Sequence, residues 1–114
     1  MIIVLMSIQQ VKAQSDKLER FKDRAITTTV IKVYGECGSC KHRIENALKV
    51  SGVTAVAWNN EAQLLSVQYN DKVITLDKIH SLLAAAGHDT DKIRATDMVY
   101  QKLPDCCHYT RKQV

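Results

Sequence analysis

The chain has 114 residues, enough for one domain with a modest core and too few for two. Its residues are 46% apolar and 25% charged, an ordinary globular balance, and its formal net charge is +4. The basic residues are scattered, and no stripe interleaves them with aromatics, so nucleic acid is not expected as a partner.

At the N-terminus, residues 2–8 form an apolar run too short to span a bilayer. Val11, Lys12 and Ala13 then offer small residues at the positions a signal peptidase reads. Residues 1–13 are therefore expected to be a signal peptide. The mature chain would start at Gln14, carry a net charge of +3 once Lys12 is removed, and lie in the periplasm or be secreted, with no lasting membrane insertion. If the segment is not a signal peptide, the location is cytoplasmic. Residues 14–25 read as a charged leader.

From Ile26 the texture changes. The run TTTVIKVY is rich in β-branched residues and predicts a strand with Ile31 and Val33 on one face, stopped by Gly35. GECGSC follows at 35–40. Beyond it Cys40, Ile44, Ala47 and Leu48 recur at helical spacing, while Lys41, Arg43, Glu45 and Lys49 point away. Ser51 and Gly52 end that helix. Residues 53–60 and 63–70 then predict a hairpin around a polar turn, with Leu65, Val67 and Tyr69 alternating. Thr75 is placed to cap a second helix with Ile79, Leu82, Leu83 and Ala86 on its buried stripe and Gly87 just past its end. His42 and His80 fall off the stripes and are expected at the surface. Residues 90–95 read as a fourth strand, and a short helix from Thr96 is closed by Pro104.

This order, β-α-β-β-α-β with a C-terminal tail, is the α+β ferredoxin-like sandwich. In it the first strand is central and the fourth lies antiparallel beside it. The end of strand one, carrying GECGSC, should then neighbour Gly87 and His88.

A C-x-x-C pair at the start of a helix meets unpaired N–H groups and the positive end of the helix dipole, which favour thiolate. Lys41 adds positive charge, and Glu36 opposes it. Haem attachment needs histidine directly after the second cysteine, where Lys41 stands, and is excluded. A redox couple is compatible with the spacing, although the sole proline, Pro104, is far from the loop. Zinc normally takes four ligands and the pair supplies two. Two thiolates suit soft ions of low coordination, Cu(I) above all and also Hg(II), with Zn(II) or Cd(II) as weaker possibilities. A structural disulfide is a further alternative.

Residues 26–95 resemble the heavy-metal-associated domain family, which includes copper chaperones, the metal-binding modules of copper-transporting ATPases and the periplasmic mercury-binding protein. The resemblance lies in Cys37 and Cys40 at the strand–helix junction, IENALKVSGV (44–53), AWNNEAQLLSV (57–67) and AAAGHD (84–89). It implies a metal-binding protein with Cys37 and Cys40 as the metal ligands; no catalytic constellation is visible in the sequence, so an enzyme is not expected. Its partner would be a metal-transporting ATPase or another C-x-x-C domain, and the chain would be a monomer or a metal-bridged dimer. Gly35 departs from the family, which has methionine there, packed under the loop.

His88 falls where some bacterial copper chaperones resemble this chain in carrying histidine; it is either an auxiliary ligand or a solvent-facing loop residue. Residues 96–114 form an extension outside the resemblance, with Cys106, Cys107 and His108 in a row. The short helix could bring Cys106 and Cys107 back toward the C-x-x-C loop as auxiliary ligands. The alternatives are a thiol-disulfide redox protein with Cys106 or Cys107 as resolving thiol, and a structural or sensory domain stapled by disulfides.

Overall fold

The β-branched and alternating stretches pair as expected. In a computed structural model that describes residues 25–111, β1 (Ile26–Lys32) and β2 (Val53–Asn59) each pair antiparallel with β3 (Leu64–Asn70). The expected signal peptide, and the leader apart from Ala25, lie outside the described residues. The two-residue period of a strand turns Leu65, Val67 and Tyr69 inward and Ser66 outward. Register sets Ile31 and Trp58 on either side of Leu65, and all three share the core with Cys40.

Helix α1 (Gly38–Ala47) buries Cys40 and Ile44, with Leu48 continuing the stripe. Helix α2 (Leu76–Ala85) is capped by Thr75, whose Oγ1 accepts the Lys78 N–H at 3.1 Å, a bond worth about 1 kcal/mol.

Two expectations are corrected. His80 is fully buried, because the inward stripe of α2 runs through Ile79, His80, Leu83 and Ala84. Its Nδ1 lies 2.7 Å from Thr90 Oγ1, and desolvation lowers its pKa. The fourth strand contracts to one antiparallel bridge, Val33 with Thr90. Tyr34 N–H donates to Asp89 O at 2.9 Å and Asp91 N–H to Lys32 O at 3.2 Å, but pairing stops there. Thr90 Oγ1 accepts the amides of Lys92 and Ile93 at 3.1 and 3.0 Å, and Thr90 N–H donates to Ile93 O at 2.8 Å. These local bonds curl the chain off the sheet edge. Among the described residues the sheet therefore has three strands in the order β1-β3-β2. The α+β ferredoxin-like class stands, and the bridge still brings residues 87–90 beside the end of β1.

Thr96 caps α3 (Asp97–Gln101), and Pro104 precedes a single 3₁₀ turn (Asp105–Cys107) that carries the two tail cysteines. Among the described residues no helix is long and apolar enough to cross a membrane.

Candidate metal centre

The chain leaving β1 is tied to the hairpin before it reaches the cysteines. Val33 N–H donates to Gln63 O at 3.0 Å and Gly35 N–H to Gln63 Oε1 at 2.9 Å. Gln63 takes a left-handed backbone, φ 58°, and its Nε2 donates to Asn60 O at 2.8 Å. Its role in anchoring the loop was not expected; the only local signal is an amide side chain where the hairpin closes. Beneath the loop, a Cβ on Gly35 would lie 3.0 Å from two ring carbons of Trp58 and 3.1 Å from Cys40 Cβ. The indole is fixed by its Nε1–H donating to Val33 O at 3.0 Å. Trp58 thus fills the space that a larger side chain at position 35 would need.

Cys37 is the residue before α1, with extended backbone, and Cys40 lies in the first turn. Cys40 is completely buried and Cys37 half-buried. Their sulfurs are 3.7 Å apart. The 3₁₀ turn brings Cys107, also completely buried, to 3.7 Å from Cys37, and the sulfurs of Cys37, Cys40 and Cys107 all lie within 4.8 Å of one another. Cys106 stays exposed, 3.1 Å from Cys37 and 4.0 Å from Cys107. All four are free thiols. At a metal–thiolate length of about 2.3 Å, three sulfurs in a plane around an ion sit about 4.0 Å apart, and two opposed sulfurs about 4.6 Å apart. The two 3.7 Å separations lie nearer the first arrangement, so the donor set fits a soft ion in both spacing and chemistry.

Hydrogen bonding lowers the Cys37 thiol to about 6; Cys106 is the largest cause, followed by the backbone of Cys40. Glu36, expected to oppose this, is exposed, and the net shift is downward. Burial pushes the Cys107 thiol well up, with hydrogen bonding to Cys40 and Cys37 acting the same way. Lys41 is committed to Glu45 and to the Trp58 carbonyl, to which its Nζ donates at 3.2 Å.

The extension is clasped to the body. Tyr109 OH donates to Gly87 O at 2.7 Å and accepts the Asp89 N–H at 2.8 Å. Tyr100 OH donates to Tyr109 O at 2.6 Å. Arg111 grips Asp89 with two bonds of 2.9 and 2.8 Å, reaches Asp97 at 2.8 Å, and covers the Tyr100 ring. Burial alone would push the Asp89 carboxyl up; Arg111 and the Ala95 amide overrule it and hold it below the usual carboxylate range. Gly87 has φ 102°, and a Cβ on it would lie 2.9 Å from Leu103 Cδ2, so the extension packs directly on this turn.

His88 does not face solvent. It is fully buried and stacked on Tyr109, and its Nδ1–H donates to the Tyr34 carbonyl at 2.8 Å. Desolvation lowers its pKa, and its Nε2 is buried without a hydrogen-bond partner. The three-sulfur cluster does not include it. His42 is exposed on α1.

Comparison with known proteins agrees with the fold. The sequence profile of the heavy-metal-associated domain matches residues 30–89. Over 66 residues the chain is 32% identical to the copper chaperone CopZ of Staphylococcus epidermidis, covering 56% of this chain and 97% of that protein. A CopZ metallochaperone structure superposes with a TM-score of 0.54 at 32% identity, over 56% of this chain and 98% of its own. Oxidized MerP from Ralstonia metallidurans CH34 superposes at 0.56 with 28% identity, over 59% and 96%. Cys106 and Cys107 lie beyond the residues the profile matches.

Proposed function

The chain belongs to the heavy-metal-associated domain family, and on that premise we propose that it carries a soft metal ion, Cu(I) first, on Cys37 and Cys40. The observation that carries this reading is the cluster of free cysteine sulfurs at the β1–α1 junction, all within 4.8 Å of one another. The copper chaperone relatives favour Cu(I), while Hg(II), Zn(II) and Cd(II) suit the same soft donors less selectively. The role is capture and delivery, not catalysis. Residues 26–95 form the metal-binding unit and 96–114 its extension. The apolar N-terminal run, read as a signal peptide, supports a site of action outside the cytoplasm; without that reading the site of action is cytoplasmic.

Delivery proceeds by thiolate exchange. A thiolate of the acceptor adds to the bound ion, a bridged species with sulfurs from both proteins forms, and a sulfur of this chain leaves. The acceptor is another domain with a C-x-x-C loop, such as one on a metal-transporting ATPase. Arg43 and Lys49, exposed on and just after α1, suit an acidic docking face. Mixing the Cu(I)-loaded chain with such a metal-free domain tests the step. Transfer faster than release of Cu(I) to solvent is expected, at a rate rising with acceptor concentration. A rate equal to spontaneous release at every acceptor concentration would contradict exchange.

One contact favours a second reading. Cys37 and Cys106 sulfurs lie 3.1 Å apart, so the two thiols could close a disulfide, passing two electrons and two protons to a disulfide substrate. Catalysed insulin reduction, with no Cu(I) retention, would select this reading.

A further inference from the structure

We infer that the C-terminal extension completes the metal site: Cys107 supplies a third sulfur, so that one chain holds the ion between Cys37, Cys40 and Cys107. The inference rests on the metal-carrier reading above and deepens it.

Cys107 lies beyond the residues that match the family profile, yet its sulfur reaches the cluster as closely as Cys40 does, 3.7 Å from Cys37 in both cases. A buried cysteine often serves only as a small apolar filler. A filler has no reason to place its sulfur within 4.8 Å of two other sulfurs at a helix start. Nor is the approach an accident of a loose tail. Cys107 N–H donates to Pro104 O at 2.8 Å, closing the 3₁₀ turn. On the C-terminal side, Tyr109 is bonded to Gly87 and Asp89, and Arg111 to Asp89. Leu103 sits against Gly87 on the N-terminal side. The cysteine is therefore held from both directions.

The exposures divide the labour. Cys40 and Cys107 are completely buried, so the ion would lie between the loop and the extension, enclosed on that side. Cys37 is half-buried, and exposed Cys106 lies 3.1 Å from it, which makes that edge the approach for a partner's thiolate. A third sulfur from the same chain also does what a second copy would otherwise do in a metal-bridged dimer. The loaded protein should accordingly be a monomer.

X-ray absorption at the copper edge of the Cu(I)-loaded full chain, in thiol-free buffer, counts the sulfurs directly. Three are expected in the wild type and in Cys106→Ser, and two in Cys107→Ser, with one ion bound in each. Under a competing chelator, Cys107→Ser should bind Cu(I) about tenfold or more weakly. The wild-type count does not depend on how well the variant folds. Two sulfurs in the wild type would overturn the inference and leave the carrier reading intact. A third sulfur lost in Cys106→Ser and kept in Cys107→Ser would overturn it as well. No Cu(I) retained by the wild type would overturn both.

Discussion

The loop at 35–40 and the extension at 96–111 bring cysteines to one place by different physics. The loop is positioned by near neighbours: β1 ends, the hairpin residue Gln63 holds the backbone, and α1 begins at Gly38. The extension is positioned by partners far away in sequence, through Asp89, Gly87 and the stacked rings of His88 and Tyr109. Each region contributes one buried cysteine and one more accessible one, Cys40 with Cys37 and Cys107 with Cys106. A family loop can thus gain donors without changing its own fold, provided a separate clasp pays the entropy of ordering the added segment.

Breaking the clasp is expected to have the largest effect. Arg111→Met strips the buried Asp89 carboxylate of its two shortest charged contacts and leaves it Arg94 at 3.9 Å and the Ala95 amide, a change that costs about 3 kcal/mol. Urea denaturation should show the loss, and Cys107 should become reactive toward a thiol reagent while β1–β3 pairing persists. The pH dependence follows from the same pair. Asp89 is depressed in the folded chain, so its contribution is present above the ordinary carboxylate value of about 3.9 and is lost as pH falls through its lower folded value. Acidification below about pH 4 should weaken Cys107 protection in the wild type and add little in Arg111→Met. Unchanged stability and protection in the variant would mean that the tyrosine hydrogen bonds and apolar contacts hold the extension without the Arg111–Asp89 pair.

On the loop side, Gly35→Met introduces the family's residue yet should destabilise by about 1–3 kcal/mol, because Trp58 already fills the space. Trp58→Leu in the same chain should recover part of the loss. A neutral or stabilising Gly35→Met would show that the indole does not substitute for methionine under the loop.

The smallest effect is electrostatic and links the two regions. Alkylation of Cys37 should follow a thiolate titration centred near pH 6. Cys106→Ala should move the midpoint upward, since Cys106 is the largest cause of the depression. A midpoint unmoved by this variant would assign the shift to the helix start instead.

Local patterning made the core of this fold readable. β-branched spacing located β1, alternation located β3, and the recurrence of Cys40, Ile44 and Leu48 located α1. The C-x-x-C pair stood out for the same reason. What could not be read locally depended on single side chains bonding at a distance. The run at 90–95 has strand-like residues, but the Thr90 hydroxyl takes the next amides and turns the chain. His80 falls off the apolar stripe in sequence, but the same hydroxyl gives it a buried partner. Gln63, the Asp89–Arg111 pair and the stacking of His88 on Tyr109 join residues with no shared period or motif. The approach of Cys107 to the loop was an open alternative in the sequence; the short helix and Pro104 marked a return of the chain, but not where its sulfur would land.

Everything proposed above depends on Cys37 and Cys40 holding a soft ion. Titration of the reduced protein with Cu(I) against a competing chelator tests it most directly. One tightly held equivalent per chain is expected, lost or weakened by more than about 100-fold in Cys37→Ser, beyond what a merely supporting residue would cost. Equal retention of Cu(I) by the wild type and Cys37→Ser would contradict it.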